Sequence, residues 1–257
     1  MNSYDVLKEK IENAPSLDFG NIISEAIELF KKVWVKGFLM VLFIVIAAVI
    51  LGFIFQAIGL AVDPAILMEG ITIESLTKFY SQNALYSLPQ TILVSTITIA
   101  LLAGFYRICK QEVQGENQND DYFFYLKKEF LSKALMLGIF YAVIAAIAQA
   151  LLLIPYIYVF VPLSYFAIIF SNNPELSEIE IVKLSFALGN KKWFISFGTI
   201  FVCGILGALG LIACFVGVIL TISIAYLPVF LIYKDVVGFD NRSEIDFIGT
   251  NTEEDRF

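Results

Sequence analysis

Residues 134–170 read ALMLGIFYAVIAAIAQALLLIPYIYVFVPLSYFAIIF, an apolar run without a single charge. About 20 apolar residues suffice to cross the ~30 Å hydrocarbon of a bilayer. One helix over this whole run would be roughly 55 Å long at 1.5 Å per residue, so the run must fold back. Pro155, near its middle, marks the expected turn, because proline removes a backbone donor and clashes with the preceding turn. Two spans follow, 134–153 and 155–170, with Pro162 expected to kink or offset the second.

Outward from that run, Gly37–Val62 reads GFLMVLFIVIAAVILGFIFQAIGLAV, also uncharged and long enough to cross with some tilt. Residues 88–109 form another span, with Pro89 near the helix start, where a missing donor costs nothing. Residues 193–233 are again too long for one helix and need a turn near Leu211–Phe215, giving spans 193–211 and 214–233. The fold expected is an all-α integral membrane protein of about six transmembrane helices, with amphipathic interfacial helices on its cytoplasmic side. A cytoplasmic segment, 1–36, precedes the membrane domain, 37–234, and an acidic tail, 235–257, is expected to be disordered. Composition agrees: 16% of residues are charged, against ~25% in soluble domains, and the mean hydropathy is +0.80.

Lysine and arginine set the orientation. With the N-terminus inside, 16 of the 17 Lys and Arg residues lie on the cytoplasmic side and only Lys78 lies outside. The expected location is the bacterial inner membrane, multi-pass, with both termini cytoplasmic. Residues up to Asn13 are polar and no apolar run begins before Gly37, so the first span reads as a retained anchor rather than a signal peptide. The segment 63–87 is the one sizeable outer loop.

Several chemistries are excluded. The chain has no histidine, which removes histidine zinc sites, Ser-His-Asp triads, histidine-bound haem and imidazole-bound iron. Cys109, Cys203 and Cys214 form no CxxC pair and read as small packing residues. A net charge of −7 without a basic face argues against a nucleic-acid partner. Asn119-Asp120-Asp121 reads as a solvated turn rather than a metal site. No glycine-rich phosphate loop, nucleophile elbow or spaced carboxylate motif is visible. No cofactor, metal or catalytic residue is expected, and the chain reads as a non-enzyme.

Upstream of the first span, Phe19, Ile22, Ile23, Ala26, Ile27, Phe30, Val33 and Trp34 recur at helical spacing, with Lys31, Lys32 and Lys36 leading into the membrane. The plan returns at Ser177–Trp193: a Ser177/Glu180 capping box, then Ile181, Leu184, Ser185 and Leu188, then Lys191-Lys192-Trp193. A weaker copy is Tyr122–Leu131 with Lys127, Lys128 and Lys133. The chain thus reads either as three parallel units, each an interfacial helix followed by two spans, or as an ordinary multispan protein with basic-aromatic anchors. Those anchors are Lys31, Lys32, Trp34, Lys36, Arg107, Lys127, Lys128, Lys191, Lys192 and Trp193, with Arg107 near the end of the second span and able to snorkel.

No ionisable residue lies deep in a span, which disfavours a proton-driven transporter. The polar residues there include Gln56, Ser95, Thr96, Gln149, Ser164, Ser196, Thr199, Thr221 and Ser223, which read first as interhelical hydrogen-bonders. Gln56, Gln149, Ser164, Thr199 and Thr221 are the candidates for lining a substrate cavity.

The stretch LLLIPYIYVFVPLSYFAIIFSNNPELSEIEIVKLSFALGNKKW, continued to YLPVFLIYKDVVG, covers residues 151–238. With Pro155, the Ser177 cap, Leu184-Ser185-Phe186, Lys192-Trp193 and Tyr233-Lys234-Asp235, it resembles uncharacterised bacterial multispan proteins related to the membrane domain of glycerophosphodiester phosphodiesterases. The resemblance implies fold and membrane location. In the phosphodiesterases the chemistry belongs to a separate soluble domain with acidic metal ligands, for which this chain has no counterpart, so no reaction is implied. The leading expectation is a non-enzymatic membrane scaffold or accessory, lipid-interacting protein, partnered by the bilayer and by membrane proteins or further copies of itself. The alternative is a transporter or flippase for a lipid-like or uncharged substrate.

Overall fold

The computed structural model describes residues 3–60, 87–116, 119–151, 153–213 and 217–239. The expectations for the outer loop 63–86, for Cys214 and for most of the acidic tail lie outside the described residues. All regular elements among the described residues are helical, and six helical segments are long and apolar enough to cross a membrane. The chain is therefore an all-α membrane protein.

The α-helices are α1 Ser3–Glu12, α2 Phe19–Ala57, α3 Leu88–Gln114, α4 Lys128–Ala150, α5 Leu153–Ser164, α6 Phe166–Asn172, α7 Glu178–Lys191, α8 Trp193–Ala208, α9 Gly217–Thr221 and α10 Leu227–Val236. Short 3-10 turns occupy Phe124–Leu126, Leu209–Ala213 and Ile222–Tyr226. The six candidate spans fall into three consecutive pairs. In the most apolar stretch of each first member (α2, α4, α8), 17%, 28% and 33% of residues are buried in the protein; in each second member the shares are 67%, 50% and 56%. The second members thus form the centre and the first members face lipid. Tyr106 of α3 stacks on Phe230 of α10 and donates its hydroxyl to the Tyr226 carbonyl, while α6 packs against both α3 and α10. Around this core, α2 packs on α3 and α10, α4 on α3 and α5, and α8 on α5 and α10. Three pairs share one plan.

The segments that introduce the pairs do not. Upstream of the first span there is no separate interfacial helix: α2 runs unbroken through Lys36 into the span, because nothing from Asp18 to Ala57 interrupts the helical hydrogen bonds. Its buried stripe is Ile22, Ala26, Leu29 and Val33, with Phe19 and Trp34 off it and exposed. The first span ends at Ala57 rather than Val62, since Gly59 adopts a left-handed φ of 74°. Upstream of α4 the expected helix is only a 3-10 turn at Phe124–Leu126. Upstream of α8, α7 forms as expected: the capping box is closed by both hydrogen bonds, and Ile181, Leu184, Ser185 and Leu188 are buried.

Other boundaries shift. The turn of the 134–170 run falls at Leu151, not Pro155; Pro155 instead sits in the first turn of α5, where no donor is required. The span expected at 88–109 extends to Gln114, closed by Gly115 at φ 70°. The sixth span is not one helix but α9, a 3-10 turn and α10, broken where Pro228 cannot donate to the Ile224 carbonyl. The folded unit also reaches past residue 234: Val236 and Val237 are buried and Lys10 donates to the Val237 carbonyl at 2.8 Å. Helix α1 lies within a polar segment, yet its Leu7 and Ile11 are buried and it packs against α7.

Close approach decides the crossing of α4 on α3. A Cβ on Gly138 would stand 2.1 Å from Thr96 Oγ1 and 2.9 Å from the Thr96 backbone, whereas one on Gly204 of α8 would meet open space. Gly138→Ala should therefore destabilise by about 1–3 kcal/mol and Gly204→Ala hardly at all, as read by thermal unfolding in detergent. Equal shifts for the two variants would contradict this packing.

Candidate functional site

The basic residues gather at the end of the bundle where α2 begins and α3 ends, and several are held by the protein itself. Lys36 pairs with Glu112 at 3.3 Å and Asp120 at 3.2 Å, tying α2 to α3 and to the loop after it. That pairing gives Asp120 a role as an ion-pair partner, beyond the solvated turn expected of it. Lys127 meets Asp121 at 2.8 Å and sits 4.7 Å from the Phe124 ring centroid; Arg107 lies on the same ring at 4.4 Å. Arg107 is not at the end of its helix, which continues about two turns further. Lys192 donates to the carbonyls of Ala14 and Pro15, fastening the link between α1 and α2 onto the start of α8. Lys31 faces Glu28 on its own helix at 2.6 Å. Lys32, Lys128 and Lys191 are exposed and form no ion pair among the described residues. They lie close in sequence to the exposed rings of Trp34, Phe123 and Phe194, 45%, 49% and 86% accessible.

Trp193 has a defined partner. Pro162 lacks the N–H that would bond the Tyr158 carbonyl one turn back in α5. The indole Nε1 of Trp193 donates to that same carbonyl at 3.0 Å. The Tyr158 hydroxyl donates to Asn190 Oδ1 at 2.7 Å, so both ends of Tyr158 strap α5 to the α7–α8 junction. Pro162 does offset the helix as expected, with α5 ending at Ser164 and α6 starting at Phe166.

The five residues considered for a cavity are not drawn into one cluster by hydrogen bonds. Thr221 bonds across to the Gly207 carbonyl at 2.6 Å and to Gly217 at 3.0 Å. Ser164 donates to Val161 at 2.7 Å and buried Thr199 to Ile195 at 2.7 Å, each within its own segment. Gln149 is half-buried and Gln56 exposed, and neither side chain bonds another described residue. Interhelical bonding holds for others: Ser95 donates to the Gly138 carbonyl at 3.0 Å, and Tyr165 and Ser196 share a 2.6 Å hydrogen bond.

Sequence reading passed over Tyr106, Tyr158, Tyr165 and Asn173, and gave Lys133 no role beyond the basic end of the third amphipathic segment. Asn173 donates to the Tyr233 hydroxyl at 2.8 Å, and Lys133 to the carbonyls of Pro174 and Leu176. Only Tyr158 carried a signal, being four residues before a proline inside an apolar run. Among the described residues no group of His, Cys, Asp and Glu could hold a metal ion.

Fold and site together define a helical multi-pass membrane protein. Comparison with protein-family models, curated proteins and solved structures returned no match.

Trp193→Phe should cost about 1–3 kcal/mol by leaving the Tyr158 carbonyl without a donor. In a Pro162→Ala background, where residue 162 supplies its own N–H, the same change should cost much less. Thermal unfolding of the four proteins in detergent measures the coupling, and additive effects would refute the capping role.

Proposed function

We propose that this chain is a bacterial inner-membrane protein with both termini in the cytoplasm, acting as a non-enzymatic scaffold or accessory protein that engages lipids and membrane partners. The observation that carries this reading is the rim at the basic end. There the ion pairs of Lys36 and Lys127 and the backbone hydrogen bonds of Lys192 brace the helices. Lys32, Lys128 and Lys191 remain exposed, close in sequence to exposed aromatic residues. Cations with neighbouring aromatic rings suit the headgroup region of an anionic leaflet.

A second reading, transport or flipping of a lipid-like or uncharged substrate, draws support from a different feature. Two of the three central spans are discontinuous, α5–α6 and α9–α10, and broken helices are where many transporters place their substrate sites.

Reconstitution separates the two. Vesicles carrying the purified chain and a fluorescent phospholipid should exchange that lipid between leaflets at the protein-free rate, as measured by dithionite quenching. Faster exchange would overturn the scaffold reading in favour of the second. Orientation is tested separately: a cysteine replacing Lys8 should resist an impermeant maleimide in intact spheroplasts and react once the membrane is opened.

A further inference from the structure

One face of α8 carries a ladder of rings. Trp193 stacks on Phe197 with centroids 5.0 Å apart and planes 8° from parallel, and Phe197 on Phe201 at 6.2 Å and 13°. Trp193 and Phe197 are half-buried against the core, while Phe201 and, one turn on, Ile205 are 59% and 49% exposed, so the ladder emerges from the bundle along its length. From Trp193 to Ile205 it rises roughly 18 Å at 1.5 Å per residue, enough to line the ~15 Å of hydrocarbon in one leaflet. The indole is fixed by its bond to the Tyr158 carbonyl, which holds the first rung in place.

At the foot of the ladder stand Asn190, Lys191 and Lys192, with exposed Phe194 beside them. No carboxylate pairs with either lysine among the described residues; Lys192 meets only the carbonyls of Ala14 and Pro15. Burial first, and then the charge of Lys191, push the Lys192 ammonium below the ordinary lysine value. Two adjacent cations thus stand where no carboxylate of the described residues pairs with them.

We propose that this face is the seat of an anionic phospholipid, its acyl chain lying along Trp193, Phe197 and Phe201 and its phosphate at Lys191. The bilayer supplies this occupant, and charge complementarity selects the anionic headgroup over a zwitterionic one. The seat deepens the lipid-engaging part of the reading above. It is indifferent to whether the chain moves lipid, so its test reads retention rather than transbilayer exchange.

The full chain, extracted in detergent, is titrated with phosphatidylglycerol or phosphatidylcholine and followed by native mass spectrometry and thermal unfolding. Phosphatidylglycerol should be retained more tightly and raise the unfolding temperature further. Lys191→Gln should weaken its retention about fivefold, the weight of one lysine beside an anionic surface, while Lys8→Gln, at an exposed lysine of α1, leaves it unchanged. Phe201→Ala, at an exposed rung, should weaken both lipids alike without unfolding the chain. Equal retention of the two lipids, or equal losses from Lys191→Gln and Lys8→Gln, would overturn the proposal. Either result would leave the transbilayer-exchange measurement to decide the scaffold reading by itself.

Discussion

A backbone carbonyl that loses its helical donor must find another, and two of the three central spans of this bundle are interrupted by proline. At Pro162 the carbonyl of Tyr158 loses its helical donor, and the indole of Trp193, from a different helix, replaces it. Near Pro228 the chain tightens into a 3-10 turn, where Leu227 N–H bonds the Ile224 carbonyl, and the Tyr226 carbonyl is met by the Tyr106 hydroxyl. These bonds fix where α5 sits against α8 and where α10 sits against α3. The positions of the peripheral helices follow, since each seals a gap between two central ones.

The same demand explains the polar residues of the spans. Serine and threonine reach neighbouring carbonyls, as Ser95 does at Gly138 and Thr221 at Gly207, and draw helices together where a glycine leaves room. Lysines do comparable work at the basic end. Lys10, Lys133 and Lys192 each close backbone carbonyls at the end of a helix or in a link between helices. Lys234 joins α10 to Glu25 of α2 at 2.6 Å. A residue counted for orientation is thus also a tie between elements.

That double use is why the site was only partly legible. Lys32 and Lys192 look alike in sequence, each the second of a Lys-Lys pair shortly before a tryptophan. One is exposed and the other is bound to Ala14 and Pro15, residues that lie far away along the chain. Tyr158 looked like one more apolar ring until the partner of its carbonyl was visible. The third expected amphipathic segment failed because of distant partners: Phe123, Phe124 and Tyr125 pack on Phe43, Arg107 and Phe170, and a 3-10 turn serves that packing where a longer helix was expected.

Hydrophobicity and length were enough to give six segments able to span a membrane, and the identity and spacing of Ser177 and Glu180 were enough to give the capping box of α7. Each depends on whether a segment can leave water, or on contacts within four residues. Which spans lie at the centre, which group caps the carbonyl that Pro162 frees and which cations face outward were decided by tertiary structure alone. Those outcomes turn on hydrogen bonds and ion pairs between residues far apart in sequence, and a hydropathy pattern carries no information about partners.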